Sequence, residues 1–282
     1  MKRIILAQVT PALMCFQIAA YSQAVPYPGD GPGLYVVRVI SVDMAQRDAF
    51  VACLAQNDLP FWRELKEKGS LAKVSVFETT SVTKSESGVP AWNFVISSHL
   101  AEGANADSFV QALEKRKGCE SASGVEVRRT ETMRSPPNLS TWARETSADD
   151  LKARELKVEF LIEYIAVKDT PEALDRFREF MRLYDAPLIG LGIRAGYQFS
   201  AFALETAKVN YSQPGMPKWN NIHFVGDIPG IDWAAAKAAL EPERRQVIPA
   251  SVDGAAERGA INNFLTHPRN DSVRQLFELA VR

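Results

Sequence analysis

Few side chains in this chain have the type and setting to do chemistry, and His223 is the first of them. It falls in a stretch reading as a β-strand, on one face with Trp219, Asn221 and Val225. An imidazole there could serve as acid, base or ligand near neutral pH. The opposite possibility, a buried strand histidine with a structural role, stays open. Trp92 and Asn93 open a second such strand after Pro90, and Trp219 and Asn220 do the same after Pro217. In a structural role each Trp covers a hairpin end while the Asn bonds turn backbone. In a binding role Trp92 and Trp219 wall a pocket, with Asn93 and Asn221 orienting a ligand. Arg38, Lys73 and Tyr164 are further polar groups that could project between sheets. Glu78 and Glu205, each followed by Thr, are expected at solvated strand ends. His223 with Glu159 or Glu163 is a conceivable metal pair, but the scattered histidines and the Cys/His spacing form no metal site. A serine nucleophile elbow, a phosphate loop and a dinucleotide fingerprint are absent.

These residues recur because the chain is duplicated. A fixed shift of 127 superposes Pro90-x-Trp92-Asn93 on Pro217-x-Trp219-Asn220 and Asp58-x-Pro60 on Asp185-x-Pro187. It also superposes Gly69 on Gly196, Glu78-Thr79 on Glu205-Thr206 and Ala112-Leu113-Glu114 on Ala239-Leu240-Glu241. About fifteen of the positions from 50 to 114 match, where ordinary residue usage gives roughly four by chance. At His223 the copies differ, since its counterpart is Ile96. Such asymmetry is what specialisation of one copy looks like.

The patterning predicts the elements that hold these groups. Residues 1–24, with Lys2-Arg3, an apolar run and Ser22-Gln23-Ala24, read as a cleaved export signal. Residues 25–33 are a Pro/Gly leader. In the first repeat, 34–133, strands are expected at Leu34–Val42, Leu71–Thr80, Trp92–Leu100 and Val125–Met133, with a polar turn at Ser81–Val89. Helices are expected at Met44–Asn57, broken at Pro60, and at Asp107–Lys117. Residues 134–156 form a linker. The second repeat, 157–245, follows the same order, its first helix starting at Thr170-Pro171-Glu172. Residues 246–282 form an extension whose end, from Asp271, fits a terminal helix better than a strand.

The order β-α-β-β-α-β is that of a ferredoxin-like unit. Strands such as Val36–Ile40 and Phe160–Ile165 are apolar on both faces and so must be covered on both. The fold class is therefore α+β: two tandem ferredoxin-like repeats packed sheet to sheet as a pseudo-dimeric α+β barrel. Both partners lie on one chain, which avoids the association entropy of about 4–15 kcal/mol.

The two βαββα units with their Asp-x-Pro breaks resemble the dimeric α+β barrel superfamily, including EthD-like and antibiotic-biosynthesis-monooxygenase-like proteins. That resemblance implies the fold. Its members range from cofactor-free oxygenases and haem-degrading enzymes to proteins with no known reaction, so it leaves the function open.

Composition narrows the partners. Without Lys2 and Arg3 the chain carries 31 basic and 34 acidic residues, a balance that does not suit nucleic acid. Cys53 and Cys119 could pair in an oxidising compartment or stay as buried thiols. The expectation is a secreted or periplasmic monomer with an internal pseudo-two-fold, without a cofactor or a membrane anchor after cleavage. It would bind a small apolar or aromatic molecule between the repeats. One alternative is a cofactor-independent oxygenase or isomerase with His223 as acid/base; another is a structural module with no cavity.

Overall fold

The computed structural model describes residues 33–116, 118–135, 142–143, 159–228, 230–253 and 260–279. The expected signal and leader, most of the linker and the chain's last three residues lie outside them. No helix among the described residues is long and apolar enough to cross a membrane.

Strand β1 (Leu34–Val42) is buried on both faces, as its β-branched run requires. Tyr35, Val37 and Val39 join one core and Val36 and Ile40 another. Helix α1 (Arg47–Cys53) then passes through a π turn, Leu54–Asp58, into α2 (Leu59–Glu67). The break expected at Pro60 is therefore a continuous helical path. Proline sits at the start of α2, where its missing N–H costs little, and the wider turn before it absorbs the mismatch. Strands β2 (Leu71–Ser85) and β3 (Phe94–Leu100), helix α3 (Ala106–Arg116) and strand β4 (Val125–Arg134) complete the first half.

A two-residue strand, β5 (Trp142–Ala143), precedes β6 (Glu159–Val167). Helix α4 (Pro171–Phe180) begins at Thr170, whose hydroxyl accepts from the Ala173 N–H at 3.2 Å. A second π turn, Met181–Asp185, leads into α5 (Ala186–Arg194). Strands β7 (Gln198–Ser212) and β8 (Asn221–Asp227), helix α6 (Trp233–Val247) and strand β9 (Leu265–Leu279) follow.

The terminal helix expected beyond Asp271 is thus a strand. Arg269, Asp271 and Val273 are buried to one side at a two-residue period, a pattern that helical spacing does not fit. Strand β9 pairs with β2 from Val74 to Ser85 and with β6 on its other side. That pairing also carries β2 through Ser85, into the stretch expected to be a turn.

The long strands run in the order β4-β1-β3-β2-β9-β6-β8-β7, and β7 returns to β4. All these pairs are antiparallel, so eight strands close into a barrel with no free edge. The strand order within each half is the same: β4-β1-β3-β2, then β9-β6-β8-β7. The halves meet at two seams, β2 with β9 and β4 with β7. Side chains of both halves fill the barrel, and each half carries its own apolar layer between strands and helices. Cys53 and Cys119 form a disulfide that ties the end of α1 to the turn before β4.

Candidate functional site

Inside the barrel, aromatic rings occupy the space expected for a ligand. Trp92, Trp219 and Tyr164 pack on one another edge-on or tilted, with ring centres 5.7, 5.1 and 4.9 Å apart, and Phe77 packs on Phe160 and Phe224 in the same core. All six are almost wholly buried. The two tryptophans therefore hold a packed core.

Two ion pairs share that core, and neither was found from the sequence. Arg129 on β4 lies over the Trp219 ring at 4.0 Å and contacts Glu131 at 2.9 Å. Glu131 accepts from the Trp219 indole N–H at 2.5 Å and from the Thr206 hydroxyl at 3.0 Å. The second set mirrors the first. Arg269 on β9 lies over Trp92 at 3.8 Å and pairs with Asp271 at 2.7 Å, and Asp271 accepts from the Trp92 indole at 3.1 Å. Burial raises the pKa of both carboxyls, and the neighbouring arginine and indole oppose it. The available signal was Arg-x-acid on a strand, repeated at a shift of 140 that the main repeat does not use.

The asparagines clamp strand ends. Asn93 accepts from the Val42 N–H at 2.8 Å and donates to the Val42 carbonyl at 2.9 Å. Asn220 does the same to Val167, at 2.9 Å each way. Asn221 is buried and donates to the Asn220 side chain at 3.1 Å. Glu78 and Glu205, whose sequence setting predicts solvated strand ends, are instead buried between arginines. Glu78 meets Arg47 and Arg274, while Glu205 meets Arg178 and, at 3.5 Å, Arg134.

Arg38 points away from the barrel interior, contrary to expectation, because it alternates with Val37 and Val39. It lies beneath α3 in an ion pair with Glu120 and is 5% exposed. A cavity of about 390 Å³ opens there, across the β4–β7 seam. Val110, Leu113, Val127 and the Tyr211 ring give it apolar walls. Arg38, Glu120 and Thr130 form a polar floor, and Glu114, Glu126 and Gln213 are also at its surface. Arg128 crosses the seam to bond Gln213. Burial raises the Glu120 pKa against the pull of Arg38.

His223 is also on the outer face. Trp219 precedes the strand and turns inward, so the two do not share a side as expected. The imidazole stacks on Phe177 of α4 at 5.9 Å, with Nδ1 4.0 Å from a Glu163 oxygen. Burial pushes its pKa down to about 3, and His267 adds to this. The ring is neutral across the physiological range, which does not favour the acid role considered for it. His99 stacks on Tyr35 at 4.3 Å and is pushed down to about 4, chiefly by burial. Among the described residues, no group of three or more His, Cys, Asp or Glu side chains could hold a metal ion.

No family model matches the chain, and no curated protein matches it. Solved structures give distant likenesses only. A dye-decolorizing protein from V. cholerae has a TM-score of 0.47 at 11% identity, over 89% of this chain and 96% of that one. A variant chlorite dismutase from Candidatus Nitrospira defluvii has a TM-score of 0.45 at 11% identity, over 87% and 91%. An anthrone oxidase-like protein has a TM-score of 0.42 at 10% identity, over 90% and 98%. Likenesses this distant carry no function to this chain.

Proposed function

We propose that the chain is an exported tandem of ferredoxin-like repeats, of the dimeric α+β barrel type, that binds a small apolar or aromatic molecule. The site is the cleft where β4 of one half meets β7 of the other, rather than the barrel interior. One observation carries this reading. The cleft, of about 390 Å³, sets apolar walls beside a polar floor of buried Arg38 and Thr130 and partly exposed Glu120. Clefts of a few hundred cubic ångströms that set apolar side chains beside placed polar groups suit small ligands. The ligand's ring or chain would lie against Val110, Leu113, Val127 and Tyr211, and one polar group would reach the Arg38–Glu120 pair.

Native mass spectrometry of the purified protein tests this directly. The wild type should retain a small molecule that Leu113→Trp, which fills the cleft, releases. Retention of the same molecule by a folded Leu113→Trp variant would place the binding site elsewhere.

A further inference from the structure

The Asn clamps align the first strands of the two halves at a shift of 125, since Asn93 holds Val42 as Asn220 holds Val167. Glu163 then stands where the first half has Arg38. The cross-strand rows agree. Thr130, Arg38, Ile96 and Val76 are neighbours in one half, and Asn270, Glu163, His223 and Ala203 in the other. A guanidinium with its own carboxylate has become a carboxylate beside a neutral imidazole.

We propose that the second half holds a separate site for a small organic cation, an alkylammonium or guanidinium, between its strands and α4, with Glu163 as counter-ion. Four observations support it. Glu163, Asp227 and Asp185 gather in this layer, and among the described residues none has a Lys or Arg in salt-bridge contact. Three buried polar atoms here have no hydrogen-bond partner among the described residues: His223 Nε2, His267 Nδ1 and Asn270 Oδ1. His223 is itself 93% buried, being 7% exposed, and lies in the same row as Glu163. The layer is also trimmed of bulk, with Ile189, Gly192 and Ala203 standing at the 127-residue shift from Trp62, Leu65 and Val76. At Gly192 the Gln198 amide oxygen takes the space a side chain would use, 2.5 Å from where a Cβ would stand.

The available groups select charge sign. A carboxylate, an amide oxygen and two neutral imidazoles can all accept, and Phe177 adds an aromatic face that attracts cations. The same residues supply no compact set of metal ligands. The charged or titratable groups around the site are Glu163 on β6, His223 and Asp227 on β8, Asp185 on the π turn, His267 on β9 and Lys84 on β2. Burial raises all three carboxyls, Asp185 to about 7. Cation affinity should therefore rise between pH 5 and pH 8 as Asp185 ionises.

Calorimetric titration of the full chain with n-butylguanidinium and n-butylammonium chloride, against sodium butyrate and n-butanol, tests the site. Saturable binding of either cation, stronger at pH 8 than at pH 5, is expected, with no binding of butyrate. Losing a charge-assisted contact is worth about tenfold, so Glu163→Gln should weaken the cation at least that much. Leu113→Trp, in the other cleft, should leave it unchanged, which separates failure here from failure of the cleft proposal. If Glu163→Gln lacks the wild-type circular dichroism, Asp185→Asn is titrated in its place and should weaken binding. No saturable cation binding, equal binding of butyrate, or undiminished affinity in the folded variant would overturn the proposal.

Discussion

Arg269 lies 3.8 Å from the centre of the Trp92 ring, and it comes from the opposite half of the chain. Its guanidinium also donates to the Trp92 carbonyl at 2.7 Å. Arg129 returns the contact to Trp219 and its carbonyl. Each half thus sends its fourth strand to grip the tryptophan turn of the other. Glu78 with Arg274 and Glu205 with Arg134 repeat the exchange on the outer face. The halves are interlocked by charge as well as by strand pairing.

Arg269→Met should be among the most damaging changes in the barrel. It leaves Asp271, which has no exposed surface, without its cation. Breaking a buried pair in this way costs about 3–5 kcal/mol. Removing both charges in Arg269→Met/Asp271→Leu should recover much of that loss. Urea unfolding of the three proteins checks it, and a double variant no better than the single would deny that a stranded charge is the cause.

Asn220→Leu should destabilise through backbone groups rather than through volume. The amide satisfies both the N–H and the carbonyl of Val167, at the end of β6. Each buried group left unsatisfied costs about 1–3 kcal/mol. Asn93→Leu should behave alike through Val42, and a melting temperature unchanged in both would show that water replaces the clamps.

How much of this was legible follows from the physics of each feature. The duplication exposed the halves, and period-two patterning located most strands. Arg38 and His223 face the outer layers rather than the barrel interior, and sequence misplaces them for different reasons. The charge of Arg38 suggests an inward polar group, but its alternation with inward Val37 and Val39 points it outward. For His223, parity with Trp219 misleads because Trp219 lies in the Pro turn before β8, where strand alternation does not yet hold. Strand β9 is hidden because its buried face carries Arg269 and Asp271, whose shared partner Trp92 is 177 and 179 residues away. The match of Glu163 to Arg38 needed the shift of 125, visible only once the Asn clamps were placed.

Acid should weaken the outer lock at Glu78. Hydrogen bonds from Arg47, with help from Arg274, hold the Glu78 carboxyl below its usual value despite burial. A carboxyl with a depressed folded pKa adds stability that is present above its unfolded value, near 4.5, and lost as pH falls through the folded one. Glu78→Gln should therefore be less stable than wild type at pH 7 and approach it at pH 3. Equal stability differences at both pH values would remove Glu78 from the acid response.

Reducing the disulfide should act on stability and on the cleft together. Cys53 and Cys119 are 66 residues apart, and closing a loop of that size stabilises by up to about 4 kcal/mol on the chain-entropy estimate. Cys119 is followed directly by Glu120, the partner of Arg38 on the cleft floor. Opening the bridge releases the turn that holds Glu120 in place, so Cys53→Ala/Cys119→Ala should lower the urea midpoint and also loosen whatever the cleft retains. A lower midpoint with unchanged retention would show that the helix layer, not the bridge, positions Glu120.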